Sequence, residues 1–257
     1  MDRDRPAISV EHLTKRFGKL LAVDDLSLEV AQGEIFGILG SNGAGKTTTL
    51  KVLCGLLRPD GGRVEVAGID VLQDPVEAKG RIGFLPEAPA LYDQLSGKEF
   101  LEMIGTLRGI APKRLDEKID RLLETMELTA SRDQNVGTYS RGMRQKLAFA
   151  SAIIHEPAIL ILDEPLSGLD PRFGKLFKSW IREHAEAGRS VLMSTHVTAN
   201  AEQMCDRVAI MDKGRLISSG KVAEVMASAG AKSLEDAFVT LVGGNRWPRS
   251  PSSPPTR

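Results

Sequence analysis

Cysteine is nearly missing from this chain of 257 residues: only Cys54 and Cys205 occur. Two thiols so far apart in sequence supply neither a disulfide framework nor a cysteine metal site, and a reducing cytoplasm suits both. Charge of one sign is missing too. Lysine plus arginine and aspartate plus glutamate each number 34, for a net charge of zero. A basic stripe for nucleic acid is therefore not indicated, and no nucleic-acid partner is expected. No uninterrupted apolar run approaches bilayer length, and the first residues, Met1-Asp2-Arg3-Asp4-Arg5-Pro6, lead into no signal-peptide core. The expectation is a protein soluble by itself, reaching a membrane only through a partner. Aromatic residues make up 5% of the chain, but hydrophobic residues make up 42%, enough for a sizeable α/β core. No internal repeat is visible.

What the chain does contain is Gly40-Ser41-Asn42-Gly43-Ala44-Gly45-Lys46-Thr47, which fits the phosphate-cradling pattern GxxxxGK[ST] at every fixed position. The apolar stretch Ile35–Leu39 precedes it as a buried strand. Leu50, Leu53, Cys54 and Leu57 follow at helical spacing, with Cys54 on the apolar face. Strand, glycine loop and helix start together make an anion site: backbone amides turn inward, the helix dipole adds positive potential, and Lys46 adds a full charge. Thr47 offers a hydroxyl to Mg²⁺, and Thr48 continues the loop. A glycine turn before an ordinary lysine is the bland alternative, and the flanking elements argue against it.

Alternating residues at Ile8, Val10 and Leu13, at Leu26, Leu28 and Val30, and at Val64, Val66 and Ile69 predict half-buried strands of an antiparallel sheet. Ile82–Leu85 is a further short strand. From about residue 89 to 150 the pattern turns helical. Ser96-Gly97-Lys98-Glu99 predicts a capping box, and Leu115, Ile119, Leu122, Leu123 and Met126 predict a second amphipathic helix. This segment reads as a helical lobe inserted into the sheet. Ala158–Leu162, an unalternating run, predicts a strand covered on both faces. Strands at 190–194 and 207–211 follow, with a helix at 173–186 before them. The expected fold is an α/β phosphate-loop core with a mostly parallel sheet, an N-terminal antiparallel subdomain and the helical insertion. The ATPase unit is expected over 1–243. Residues 244–257, rich in proline, serine and arginine, are expected to be a disordered tail.

The strand through Leu162 ends in Asp163-Glu164-Pro165. An aspartate delivered beside a phosphate loop helps hold Mg²⁺, and Glu164 is placed to act on water as a general base. Taken alone, such an acidic pair is a solvated turn. His12, His155 and His184 read as ordinary surface or core histidines, whereas His196 closes a strand expected beside Asp163.

Tyr139-Ser140-Arg141-Gly142-Met143-Arg144-Gln145-Lys146-Leu147, lying between the loop and Asp163, resembles the signature motif of the ATP-binding cassette family, in a variant common among exporter subunits. Ser167-Gly168-Leu169-Asp170 is similar to that family's D-loop, His196 to its switch histidine, and Phe17 to the aromatic that stacks on adenine. The resemblance runs from about Ile8 to Val242. It implies an ATPase subunit that binds ATP and Mg²⁺ and works as a homodimer or as a heterodimer with a related cassette. Ser140, Arg141 and Gly142 would cap the γ-phosphate held by the opposite protomer. A membrane permease on a separate chain would take the subunit to the cytoplasmic face of the membrane and export a substrate. The ending Leu234–Phe238 points the same way, toward drug, antibiotic or lipid exporters. Glu87 stands where the family's Q-loop glutamine belongs and is expected as a metal ligand, with altered metal dependence or slower turnover and not inactivity as the consequence. Leu91, Tyr92, Leu95 and Phe100 are expected in part to line the groove that receives the permease. A soluble cassette ATPase working on ribosomes or DNA, and a phosphate-loop kinase, remain alternative readings.

Overall fold

The computed structural model describes residues 5–243. The expected tail, 244–257, lies outside the described residues. Among the described residues ten strands and nine α-helices follow one another: β1 (Ile8–Phe17), β2 (Leu20–Val30), β3 (Ile35–Leu39), α1 (Lys46–Leu53), β4 (Gly61–Val66), β5 (Ile69–Asp70), α2 (Pro75–Arg81), β6 (Ile82–Leu85), α3 (Gly97–Leu107), α4 (Pro112–Thr125), α5 (Arg141–Ile153), β7 (Ile159–Asp163), α6 (Pro171–Glu186), β8 (Ser190–Thr195), α7 (Thr198–Met204), β9 (Arg207–Asp212), β10 (Arg215–Lys221), α8 (Val222–Ser228) and α9 (Leu234–Gly243). They form two sheets. The first is antiparallel, in the order β2-β1-β4-β5; the second runs β10-β9-β3-β8-β7-β6 and is parallel except for β10. This is the α/β architecture expected from the pattern. Among the described residues no helix is long and apolar enough to cross a membrane.

The inner strands of the second sheet are buried on both faces, which is why their sequences do not alternate. Phe36 and Ile38 of β3 pack with Leu50 of α1 and the antiparallel sheet, while Ile35 and Leu39 face the helices on the other side. In β7, Ile159 and Ile161 take the first side and Leu160 and Leu162 the second. Parallel pairing of β3 with β8 and of β8 with β7 sets Leu39 against Thr195 and Ser194 against Asp163. Three strands therefore deliver their C-terminal ends to one edge, where open α/β sheets bind ligands.

Between β6 and β7 the chain is helical. Ser96 caps α3 in the expected capping box: its hydroxyl accepts from the Glu99 amide at 3.2 Å, and the Glu99 carboxylate accepts from the Ser96 amide at 2.7 Å. Two boundaries differ from expectation. The helix after the phosphate loop stops at Leu53, before Leu57, because Gly55 turns left-handed (φ 61°). The Leu56 amide then donates to Lys51 O and the Gly55 amide to Val52 O, which satisfies the last carbonyls. Ile69 belongs to a separate strand, β5, folded back on β4.

His155 and His184 are held neutral. Burial pushes both imidazoles from 6.5 down to about 4, and Arg108 and Arg189 respectively add to the effect. Between those pH values the unfolded chain binds more protons than the folded one. The stability these groups contribute is thus complete above about pH 6.5 and is lost as pH falls toward about 4. Urea midpoints measured down this range should fall, and His184→Phe, which keeps a ring against Trp180, should flatten part of the decline. An unchanged slope in that variant would show that His184 is not a source of the pH dependence.

Candidate functional site

The loop after β3 leads into α1 through Gly45, whose φ of 102° no side chain adopts easily. A Cβ at Gly45 would also stand 2.5 Å from the carbonyl oxygen of Ala22. Glycine contributes no side-chain cap, so the first amides of α1, those of Lys46, Thr47 and Thr48, remain available to an anion. Lys46 is buried, and its ammonium donates to the carbonyls of Gly40 (2.7 Å) and Ser41 (3.2 Å). Burial pulls its pKa down, and the carboxylates of Glu164, Asp163 and Glu87 oppose that shift. The loop borders a cleft of about 630 Å³ whose walls include Phe17, Leu20, Ala22, Glu87, Asp163 and Lys213.

Acidic groups reach the cleft from the strand ends. Asp163 closes β7, is buried, and accepts from the Ser194 hydroxyl. Glu164 follows with φ 48°, a left-handed conformation that costs a non-glycine residue about 1–3 kcal/mol and persists only where surroundings enforce it. Here β8 enforces it. The Glu164 amide donates to Ser194 O and to Ser194 Oγ, both at 3.2 Å. Its carboxylate accepts from Thr195 Oγ1 at 3.2 Å and lies 2.7 Å from His196 Nδ1. The Lys46 ammonium stands 3.9 Å from the same carboxylate, which is only 9% exposed. A buried carboxylate, a neighbouring imidazole and a cation converge beside the glycine-rich loop.

The model of the ABC transporter family matches residues 23–167, which include the loop, the signature segment and Asp163-Glu164. The chain belongs to the ABC transporter family. This ABC subunit is 41% identical over 229 residues to the daunorubicin resistance ATP-binding protein DrrA3 of Streptomyces coeruleorubidus, covering 89% of this chain and 72% of that one. It is 40% identical to the daunorubicin/doxorubicin resistance ATP-binding protein DrrA of Streptomyces peucetius, covering 89% and 69%. A solved ATP-binding subunit of an ABC transporter superposes with a TM-score of 0.86 at 29% identity, over 92% of this chain and 99% of that one. The protein is thus an ATP-binding ABC ATPase subunit.

The ABC fold gathers some of the residues singled out in sequence and leaves others apart. Phe17, at the end of β1 and 47% exposed, shares the cleft with Asn42, Gly43, Ala44, Gly45, Lys46, Thr47, Thr48, Glu87, Asp163 and Glu164. Gly40 and Ser41 join through Lys46, and His196 joins through Glu164. Ser140, Arg141, Gly142 and Asp170 do not line the cleft. Ser140 caps α5 by accepting from the Met143 amide, and Asp170 caps α6 by accepting from Phe173 at 2.9 Å. That backbone bond holds the Asp170 carboxyl below its usual range. Arg141 donates to the Ser167 hydroxyl at 3.1 Å and lies over Gly168, so the segments starting α5 and α6 touch within one protomer.

A divalent cation fits the donor set. Mg²⁺ prefers one or two carboxylates completed by phosphate oxygens and water over an all-protein cage. Thr47, Asp163 and Glu87 line the cleft, and among the described residues no cluster of three His, Cys, Asp or Glu forms a cage elsewhere. Three functional neighbours escaped the sequence reading: Ser194, Thr195 and Lys213. The first two matter only through the β7–β8 register, and Lys213 sits in the β9–β10 turn, which carries no motif. Thr195→Val should lower ATP turnover about tenfold or more, the scale of a hydrogen bond to a charged group, with nucleotide affinity retained. Equal rates would remove Thr195 as the support of Glu164.

Proposed function

We propose that this subunit acts as one half of a cassette dimer, in which each bound ATP is completed by the partner's Ser140, Arg141 and Gly142 and by Asp170. The observation that carries this reading is the separation within one protomer: the amides at the start of α5 do not border the cleft that holds Lys46 and Glu164. Amides at a helix start are good donors to a developing phosphate charge, and they serve a site only if another chain brings them to it.

In this reading Phe17 stacks on adenine, the loop amides from Gly40 to Thr48 and Lys46 hold the phosphates, and Glu164 takes a proton from water. Base catalysis of that kind contributes about 10²–10⁴ in rate. His196, with Nδ1 committed to Glu164, keeps its other nitrogen for the γ-phosphate. Mg²⁺, when bound by Thr47, Asp163 and Glu87, would neutralise phosphate charge. Glu87, unlike an amide, offers no N–H donor and adds a negative charge. We assign residues 1–243 to one ATPase unit with 89–150 as its inserted helical lobe.

A permease on a separate chain would dock beside that lobe. An open groove between α2, β6 and α3 is lined by Leu56, Val76, Phe84, Ile104 and Leu107, and Val76 and Leu107 are 81% and 78% exposed. Such apolar exposure fits a partner surface. The expected Leu91, Tyr92, Leu95 and Phe100 are not among its lining: Phe100 is in the core, and Leu91 and Leu95 pack against it. With drug-resistance ATP-binding proteins as relatives, export of an amphipathic compound from the cytoplasmic face is the transport reading we favour. A dimer requirement is tested by diluting the protein and measuring phosphate release per protomer. The specific activity should fall with dilution, and Ser140→Arg should abolish it; full activity in dilute monomer, indifferent to Ser140, would overturn the proposal.

A further inference from the structure

Two cations line the cleft, Lys46 and Lys213, and the chemistry proposed above uses only the first. Lys213 takes the first central position of the two-residue turn between β9 and β10. Asp212 pairs with Arg215 across that turn, and Lys213 and Gly214 both have positive φ, 48° and 82°. Such a turn favours asparagine, aspartate or glycine at its first position, because longer side chains are strained there. Turn chemistry alone does not account for a lysine.

The turn is held by its backbone and not by the lysine. The Gly214 amide donates to Ala44 O at 3.0 Å, and the Gly214 carbonyl accepts from the Asp24 amide at 2.9 Å. Lys213 is thereby seated between the glycine-rich loop and β2, the strand paired with β1 and its terminal Phe17. Ion pairing nearby passes it by. Arg215 pairs with Asp24 at 2.6 Å, and among the described residues Lys213 enters no ion pair and no side-chain hydrogen bond. The carboxylates in the cleft wall, Glu87, Asp163 and Glu164, gather instead around Lys46, with Glu164 3.9 Å from its ammonium. An exposed, unmatched ammonium is thus carried on a rigid turn between the Phe17 end and the Lys46 end of the cleft.

We propose that Lys213 binds the nucleotide at its α-phosphate, the anion between the base and the terminal phosphates. This rests on the reading in which the base lies on Phe17 and the phosphates reach Lys46. The α-phosphate is common to ATP and ADP, and cleavage of the terminal phosphate does not alter it. Lys213 therefore holds substrate and product equally, and its contribution is to binding and not to the chemical step.

Calorimetric titrations of Lys213→Gln with MgATP and with MgADP test this. Both affinities should weaken by about fivefold, less than a buried charge-assisted bond would lose, because the side chain is exposed. Lys213→Glu should weaken both further, and Lys213→Arg should bind both as the unaltered protein does. The deficit of Lys213→Gln should shrink at high salt, where an exposed charge is screened. In turnover the loss should fall on KM, with kcat at saturating MgATP changed by less than about twofold. Lys46→Ala, titrated with MgADP in parallel, separates two kinds of failure. If it weakens ADP while Lys213→Gln and Lys213→Glu do not, the proposal is overturned and the nucleotide cleft stands. If none of the three weakens ADP, the cleft itself is not the nucleotide site, and both readings fall. A loss confined to ATP, or a fall in kcat at unchanged KM, would move Lys213 to the terminal phosphate or to the reaction and would equally overturn the proposal.

Discussion

Glu164→Gln is expected to lower ATP turnover by about 10²–10⁴, the contribution of a positioned base, while leaving ATP binding intact. The substitution removes the basic oxygen and the negative charge that faces Lys46 and His196, and keeps the rest. Glutamine keeps the length of the side chain, its carbonyl still accepts from Thr195 Oγ1, and the backbone bonds to Ser194 that enforce φ 48° are untouched. With cleavage blocked, the nucleotide-bound dimer of the proposed cycle should accumulate. Gel filtration with MgATP would then show the variant at twice the mass of the nucleotide-free protein. Phosphate release at the unmodified rate would remove Glu164 from the role of base, and slow release with no change in mass would separate base catalysis from dimer trapping.

Lys46→Ala is expected to abolish turnover and to weaken nucleotide binding by about 100-fold. That figure corresponds to about 3 kcal/mol, the upper range for a hydrogen bond to a charged group. Two consequences combine. The phosphate loses the only buried cation of the loop, and Glu164 loses a counter-charge 3.9 Å away. The ammonium also ties the carbonyls of Gly40 and Ser41 together, so its removal loosens the turn that aims the amides. Lys46→Arg should not restore activity, because a fork-shaped guanidinium does not fit the space of a buried ammonium. Calorimetric titration with ATP would measure the affinity, and undiminished hydrolysis would count against the loop assignment.

What could be read from the residues follows from how local each signal is. The phosphate loop, the capping box at Ser96 and the acidic pair after Leu162 are contiguous, and each adopts the conformation its own chemistry favours. The doubly buried strands were legible for a similar reason: β3, and β7 as far as Leu162, carry no polar side chain because helices and the antiparallel sheet cover both faces. Roles that depend on register were not legible. Ser194 and Thr195 look like the polar end of a strand, and only the pairing of Asp163 with Ser194 turns them into the braces of two acids. Helices α2 and α7 are seven residues each, too short for periodicity to declare them. Strand β10 alternates between exposed and half-buried positions in a serine-rich stretch, so its side of the sheet edge left no apolar signature.

The Gly214 amide donates to Ala44 O, the Asp24 amide donates to Gly214 O, and Ala22 leaves no space above Gly45. The phosphate loop is thereby fastened to the same hairpin that ends in Phe17, so the aromatic face and the Lys46 ammonium belong to one rigid body. In the proposed nucleotide reading they would work together as a gauge of fixed length. A molecule with a base at one end and a terminal phosphate at the other would either reach both stops or forfeit one of them, so that reading expects shorter nucleotides to be sorted out by span before any bond is broken.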